Sequence, residues 1–217
     1  MKTLWTVIVA TGLLFVVVSP AHAVLVVNCG TVSSPAELNA SLLCPQFNLA
    51  SNTLQKVSIA ISGTVSGNIS FTNNSNATQT VSGTTTSDFA AGALAGFSFV
   101  NPLFSASFSS GPRLLNSGQT LTIMGLTASG NDTIADTTVF APYMGPSFFL
   151  IPVQTLTAFA LLGGGGQVSS SQSTSASATA VVTYDFAPNT VPEPGSMLLL
   201  GTGLAAVLVS RRRGAAR

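Results

Sequence analysis

The residue types that most often carry acid–base or metal chemistry are scarce in this sequence. The 217-residue chain contains a single histidine, His22, which lies in a predicted signal segment described below. A Ser-His-Asp or Cys-His nucleophile system cannot be assembled without a base of that type. Zinc sites that use histidine are excluded for the same reason. The sequence therefore predicts a protein that is not an enzyme.

Asp132 and Asp136 are two carboxylates that lie close together in the sequence, just after Asn131. Several oxygen ligands in one loop would suit calcium, and two carboxylates can act as acid and base in glycoside hydrolysis. The order of ligands in an EF-hand is absent, and nothing nearby indicates a sugar cleft. We therefore expect both aspartates to lie in a solvated loop, and we predict neither a metal ion nor another cofactor.

Cys29 and Cys44 are the two cysteines of the chain. If the protein is exported, it meets oxidising conditions in which such a pair commonly forms a disulfide. A bridge over this loop would stabilise the fold by about 3 kcal/mol in the chain-entropy model. Two buried free thiols are the alternative, because sequence spacing does not give the geometry.

The first 23 residues have the organisation of a secretory signal. Lys2 provides a positive start, residues 4–18 are apolar, and Ala21 and Ala23 complete a small-x-small ending. This order predicts export through the Sec translocon and cleavage after Ala23. A retained N-terminal anchor is the alternative. Residue 24 is valine rather than cysteine, so a lipid-modified N-terminus is not expected.

Residues 189–217 combine a short motif, an apolar stretch and a basic cluster. A spanning helix needs about 20 apolar residues, and this stretch is shorter. Arginines can nevertheless snorkel to the interface, and a bilayer can thin locally. Clustered arginines stay cytoplasmic, which predicts that the preceding residues lie outside the inner membrane. The motif is Val191, Pro192, Glu193 and Pro194, and the residues assigned to membrane retention are Met197, Leu198, Leu199, Leu200, Val207, Leu208, Val209, Arg211, Arg212 and Arg213.

The segment VPEPGSMLLLGTGLAAVLVSRRR resembles the PEP-CTERM sorting tail of Gram-negative bacteria. In that family an exosortase, a membrane-embedded transpeptidase, recognises the Pro-Glu-Pro motif and is thought to remove the tail. The resemblance implies that Pro192, Glu193 and Pro194 are recognised here and that the protein passes through the inner membrane transiently. The implied destination is the cell surface or extracellular matrix. A eukaryotic glycolipid-anchor signal is the rival, and the arginines after the apolar stretch argue against it.

The body between the two ends, residues 24–188, is long enough for one domain and carries little charge. It has no basic patch for nucleic acid, and its serine, threonine, asparagine and glycine favour strands and turns over helices. Its charged residues are Lys56, Arg113, Glu37, Asp88, Asp132, Asp136 and Asp185.

Apolar residues at odd positions from Val57 to Phe71 alternate with polar residues, as in a strand with one buried face. Asn73–Asn76 then predicts a hairpin turn into a Thr78–Thr86 strand. Residues 35–43 favour a short helix, whereas 156–162 fit either a strand buried on both faces or a helix. The fold class predicted is an all-β antiparallel sandwich, flanked by an N-terminal signal helix and a C-terminal transmembrane sorting helix.

The body also resembles the choice-of-anchor E domain, on residues 45–73 and on the last strand before the tail. That resemblance implies a surface domain without known catalytic or ligand residues. The sequence thus predicts a structural or adhesive protein linked to exopolysaccharide or biofilm. The alternative is a carbohydrate-binding or ice-binding-like module, for which Tyr143, Phe148 and Tyr184 would be the exposed rings.

Overall fold

The computed structural model describes residues 22–49, 52–136 and 138–189, together with Gly201. Nearly all regular structure in these residues is β-strand, with short 3-10 turns at Ala141–Tyr143 and Gly164–Gly166. The strands are β1 (Ala23–Pro35), β2 (Asn39–Pro45), β3 (Thr53–Asn73), β4 (Gln79–Ala91), β5 (Phe104–Ser109), β6 (Arg113–Leu115), β7 (Thr120–Asp136), β8 (Phe148–Gly163) and β9 (Val168–Ala187).

The strands form two sheets that pack face to face. Sheet one has the order β1-β9-β3-β7, and sheet two has the order β2-β8-β4-β5 with β6 also paired to β4. Every strand pairing in both sheets is antiparallel. The predicted antiparallel β-sandwich is therefore confirmed.

The two predicted flanking helices belong to residues 1–23 and 189–217, of which the structure describes His22, Ala23, Asn189 and Gly201. Within the described part, no helix has both the length and the apolar character needed to cross a bilayer. The signal helix and the sorting helix therefore stay predictions from the sequence.

The core lies between the sheets, and the alternation seen in the sequence decides which side chains enter it. All six apolar residues predicted for the inner face of β3 are buried, and alternate residues of β9 meet the same core. Burial of these side chains from water is the main favourable term for the fold. The inner residues are Val57, Ile59, Ile61, Val65, Ile69 and Phe71 from β3 and Ala176, Ala178, Ala180, Val182, Tyr184 and Phe186 from β9.

Inward glycines make room for phenylalanine rings from the opposite sheet. A Cβ added to Gly63 in β3 would lie 2.3 Å from Cε1 of Phe89 in β4. The ring of Phe89 in turn stacks on Phe104 of β5, with centroids 4.8 Å apart. A large phenylalanine ring therefore occupies the space that the glycine leaves free, which keeps the interior of the sandwich close-packed.

The disulfide Cys29–Cys44 joins β1 of sheet one to β2 of sheet two, with the two Cα atoms 4.3 Å apart. Cys29 reaches the core at a bulge in β1, where Gly30 has φ +79° and its N–H donates to Asn28 Oδ1. The bond closes one side of the sandwich, where the two edge strands approach each other.

The predicted hairpin between β3 and β4 is wrong, because these strands belong to different sheets. Asn73 is buried and its side-chain amide donates to the carbonyls of Ala77, Leu115 and Asn116. These contacts turn the chain from one sheet into the other. A run of asparagines favours a turn, but it does not distinguish a hairpin from such a corner.

The helix predicted over residues 35–43 is also wrong. The chain turns at Ala36, where φ is +64°, and enters β2, which pairs along its length with β8. Leu38 is buried and its N–H donates to Thr155 Oγ1 at 2.7 Å. Pairing with a strand more than a hundred residues away therefore overrides the local preference, as tertiary context often does.

Residues 156–162 form part of strand β8, which resolves the choice between strand and helix. The strand is not buried on both faces, because Leu156 is 68% exposed and Leu162 is 66% exposed. The outer face of sheet two is thus apolar along β8.

Candidate functional site

Strand β9 leads directly to the segment predicted for sorting. It pairs with β1 on one side and with β3 on the other, up to the Ala23–Phe186 and Thr53–Ala187 pairs. Two residues later the N–H of Asn189 donates to Asn52 Oδ1 at 3.2 Å. This hydrogen bond ties Asn189, the residue before the sorting segment, to the loop that precedes β3.

An aromatic cluster holds the last residues of β9 against sheet two. The ring of Phe47 lies 5.5 Å from Tyr184 and 5.1 Å from Phe186, measured between centroids. The hydroxyl of Tyr184 donates to the carbonyl oxygen of Pro45 at 2.7 Å. Burial raises the pKa of Tyr184 well above its ordinary value, with a smaller contribution from Tyr143. The phenol is therefore a neutral donor at physiological pH.

Tyr143 occupies a second buried position at the same end of the sandwich. Its hydroxyl donates to the carbonyl oxygen of Ala95, and its ring meets Phe97 and Phe149 edge-on. Burial raises the pKa of Tyr143 to about 12, and the charge of Asp136 adds to the rise. The loop after β7 is thereby fixed to the loop after β4.

Asp132 and Asp136 do not lie in a solvated loop, so that expectation is wrong. Both belong to β7, and four residues of extended strand separate them by about 13 Å. A glycosidase pair needs about 5 to 9.5 Å between its carboxyl groups. Asp136 is buried and accepts hydrogen bonds from Thr138 N and Oγ1 and from Val139 N. These hydrogen bonds fix the turn that follows β7.

The three aromatic candidates for carbohydrate binding are not grouped on one surface. Tyr143 and Tyr184 are buried, whereas Phe148 is 55% exposed at the start of β8. A sugar stacks on a ring face that solvent can reach, so two of the three candidates are unsuitable. This finding counts against the aromatic carbohydrate-binding interpretation.

The predicted sorting and signal residues fall largely outside the described chain. Ala21, the motif Val191–Pro194 and the membrane-retention residues from Met197 to Arg213 are among those residues. Ala23 is described and opens β1 opposite Phe186. The start of β1 and the end of β9 are consequently neighbours at one end of the sandwich.

A shallow groove of about 460 Å³ crosses the outer face of sheet two. Its carboxylates are Glu37 and Asp88, and Leu156 forms part of its floor. Asp88 accepts a hydrogen bond from Ser105 Oγ, and Glu37 accepts one from Thr157 N. Sequence reasoning missed this groove because its residues come from segments far apart in the chain. In the described residues no group of three or more metal-binding side chains is found, here or elsewhere.

The outer face of sheet one is covered mainly by the short hydroxyl side chains of serine and threonine. Exposed hydroxyls on neighbouring strands share hydrogen bonds, with Ser62–Thr179 at 2.7 Å, Ser70–Thr122 at 3.0 Å and Thr72–Thr120 at 2.9 Å. These pairs form because outward residues of β3 face outward residues of β9 and β7 in register. Strands about 4.8 Å apart therefore display hydroxyls in regular rows.

A family model for the PEP-CTERM protein-sorting motif matches residues 190–213. This match confirms the resemblance found in the sequence for the tail, and it supports an exported, exosortase-sorted protein. The match does not extend into the body. The resemblance of the body to choice-of-anchor E domains has no support from the comparisons. A search of curated proteins gave no match.

Among solved structures, chains from infectious bursal disease virus give weak matches. A chain of the T13 IBDV viral particle shares 12% identity over 83% of this chain and 46% of its own length, with a TM-score of 0.17. A chain of the virus Gt strain shares 11% identity over 88% of this chain and 48% of its own, with a TM-score of 0.13. This chain spans about half the length of those chains. TM-scores of this size do not indicate a shared fold.

Proposed function

We propose that this protein is an exosortase substrate that is exported, held briefly in the inner membrane of a Gram-negative bacterium, and then transferred to the cell surface or matrix. The observation that carries the proposal is the sorting motif at residues 190–213, which begins three residues after β9 ends. Pro192 and Pro194 lack N–H donors and favour extended backbone, so an enzyme can bind Glu193 between them without first unfolding a helix.

The proposed role of the body is structural or adhesive rather than catalytic. Its sequence offers no histidine after His22, and its polarity comes from hydroxyls and amides instead of charges. The rows of hydroxyls on sheet one suit a neutral, polyhydroxylated partner, such as an exopolysaccharide. Short side chains lose little rotamer entropy when such a partner binds, which favours a shallow contact over a large area.

The sorting step is tested by mass spectrometry of the protein recovered from envelope and surface fractions. We expect the mature N-terminus at Val24 and the loss of the segment that ends at Arg217. The Pro192→Ala/Pro194→Ala variant should keep Arg217 and accumulate in the inner membrane. Pro188→Ala, which changes a proline just before the motif, is the matched control and should be processed normally. Surface protein that still carries Arg217 would sink the proposal.

The adhesive role is tested by co-sedimentation with the exopolysaccharide of the producing cells. Thr64→Lys/Thr127→Lys places two charged side chains on the hydroxyl face of sheet one, and we expect binding to fall several-fold. Thr84→Lys/Thr86→Lys makes the same change on the outer face of sheet two and should leave binding unchanged. Equal binding by both variants and the wild type would exclude the hydroxyl face as the contact surface.

A further inference from the structure

Exposed apolar side chains are concentrated at the end of the sandwich from which residue 190 continues, and we call this end the tail pole. It comprises the start of β1, the end of β2, the start of β8 and the end of β9, which the pairings Ala23–Phe186 and Pro45–Phe148 bring to the same level of each sheet. Phe47 contacts Tyr184 and Phe186 and so joins the two sheets there. The exposed apolar residues at this end are Val24, Val26, Leu43, Leu49, Val139, Met144, Phe148 and Leu150.

Five of these residues come from adjoining segments at the end of β2 and the start of β8, and we call them the apolar pole patch: Leu43, Leu49, Met144, Phe148 and Leu150. Leu43 and Leu150 are register partners on the outer face of sheet two, and Phe148 is two residues further along β8. Backbone hydrogen bonds continue past the strands, through an isolated parallel bridge between Phe47 and Met144. Gln46 N donates to the Ser147 carbonyl, and Gly145 N donates to the Phe47 carbonyl. Leu49 and Met144 line a shallow depression beside this extension.

The segments that form the apolar pole patch contain no charged residues. Residues 38–49 and 138–156, which supply it and its surroundings, contain no Asp, Glu, Lys or Arg. The nearest carboxylates on this side of the sandwich, Glu37 and Asp88, lie in the groove beside Leu156, further along β8. The charged residues Lys56 and Asp185 pair with each other in sheet one. Burial of the patch would therefore remove no charged side chain of these segments from water. The patch also has no basic side chain that would attract anionic headgroups.

The length of chain beyond the body brings this surface to a membrane. Seven residues, 190–196, separate Asn189 from Met197, where the apolar stretch of the tail begins. Seven extended residues reach at most about 24 Å. A tail that is inserted in the bilayer therefore holds the tail pole next to the lipid headgroups, at a high effective concentration.

We propose that the apolar pole patch rests in the interface of the bilayer while the tail is inserted, which seats residues 192–194 at the membrane surface where a membrane-embedded enzyme works. The proposal depends on the membrane step of the proposed function. The contact is apolar, so it does not depend on anionic lipid or on salt. A patch of this size binds lipid only weakly without its tether, so removal of the tail releases the body.

The test places single tryptophans in the chain from Val24 to Arg217, which does not contain the natural tryptophan, Trp5, and measures quenching by brominated phospholipids in vesicles. Phe148→Trp reports on the apolar pole patch. Leu162→Trp is the matched control, because Leu162 is comparably exposed on the same strand and is about 46 Å away along it. Leu199→Trp reports whether the tail itself is inserted.

We expect strong quenching of Phe148→Trp and Leu199→Trp, weak quenching of Leu162→Trp, and the same pattern in zwitterionic and anionic vesicles. If Leu199→Trp is quenched while Phe148→Trp is not, or if Phe148→Trp and Leu162→Trp are quenched equally, this inference is wrong and the sorting proposal stands. If Leu199→Trp is not quenched, both fail. Shielding of Phe148→Trp that appears only at high protein-to-lipid ratio would show that a second copy covers the patch, which also overturns the inference.

Discussion

The hydroxyl of Tyr184 in β9 donates a 2.7 Å hydrogen bond to the carbonyl oxygen of Pro45 at the end of β2. The bond crosses from one sheet to the other and fixes the strand that leads into the sorting segment. Tyr184 is fully buried, whereas Pro45 at the end of β2 is half-buried. A partly buried carbonyl that loses its donor destabilises the fold by about the contribution of one hydrogen bond.

Removal of this hydroxyl should weaken the fold. We expect Tyr184→Phe to lower the free energy of unfolding by about 1–2 kcal/mol, because the Pro45 carbonyl loses its donor. Urea denaturation followed by circular dichroism measures the change. Ser171→Ala, which removes an exposed hydroxyl from the same strand, should change stability by less than about 0.5 kcal/mol. Equal effects of the two substitutions would contradict the role assigned to the bond.

Both tyrosines should make the fold sensitive to alkaline pH. Burial raises the pKa of Tyr143 to about 12 from 10.0 and raises that of Tyr184 as well. Above pH 10 the unfolded chain therefore releases phenol protons that the native state keeps. The stabilisation is complete below that pH and is lost as the pH rises through the native pKa, at no more than about 1.4 kcal/mol per pH unit for each tyrosine.

Unfolding curves of the wild type and of Tyr143→Phe/Tyr184→Phe between pH 9 and pH 12 check this dependence. The variant starts less stable, and we expect its stability to fall less steeply with pH, because no tyrosine is left to ionise. Parallel curves would show that the phenols do not cause the alkaline loss.

The disulfide should contribute measurably to stability. Cys29 and Cys44 are 15 residues apart, and the chain-entropy model gives about 3 kcal/mol for a loop of that size. We expect Cys29→Ser/Cys44→Ser to lower the midpoint of urea unfolding accordingly. Reduction of the wild type with dithiothreitol should produce a similar loss and should not affect the variant. A wild type unaffected by complete reduction would contradict this prediction.

The contact between Gly63 and Phe89 should tolerate no added methyl group. A Cβ on Gly63 would lie 2.3 Å from the ring of Phe89, so we expect Gly63→Ala to cost about 1–3 kcal/mol of overpacking. Gly63→Ala/Phe89→Leu makes room for the methyl group and should be more stable than the sum of the single effects implies. Additive effects in this double-mutant cycle, measured by urea denaturation, would show that the two residues are not in contact.

The local sequence pattern predicts the features of this fold that depend on one strand alone. The alternation of apolar and polar residues from Val57 to Phe71 identifies the inner face of β3, because every second residue of a strand points to the same face. The alternation does not place β3 beside β9, because the sequence pattern of one strand does not specify its partner strand or the pairing register. The asparagine run from Asn73 predicts a hairpin, because the partners that make this turn a corner, Leu115 and Asn116, are some forty residues away.

The site was predictable where it is a linear motif and unpredictable where it is a surface. Pro192, Glu193 and Pro194 are adjacent in the chain and so can be found by inspection. The apolar pole patch joins residues from β2, β8 and the loops beyond them, and none of its residues is unusual in its own segment. The burial of Tyr143 and Tyr184 was likewise invisible, because it depends on Phe47, Phe97 and Phe149.

Strand β9 is paired on both sides along most of its length, with β1 and with β3, and its end leads into the sorting segment. Tension applied through residue 190 acts along the axis of this strand. Many backbone hydrogen bonds then carry the load at once, whereas a strand pulled sideways would peel off one bond at a time. Fluid drag on a cell-attached body of this construction would be borne in shear, the direction in which a β-ladder is mechanically strongest.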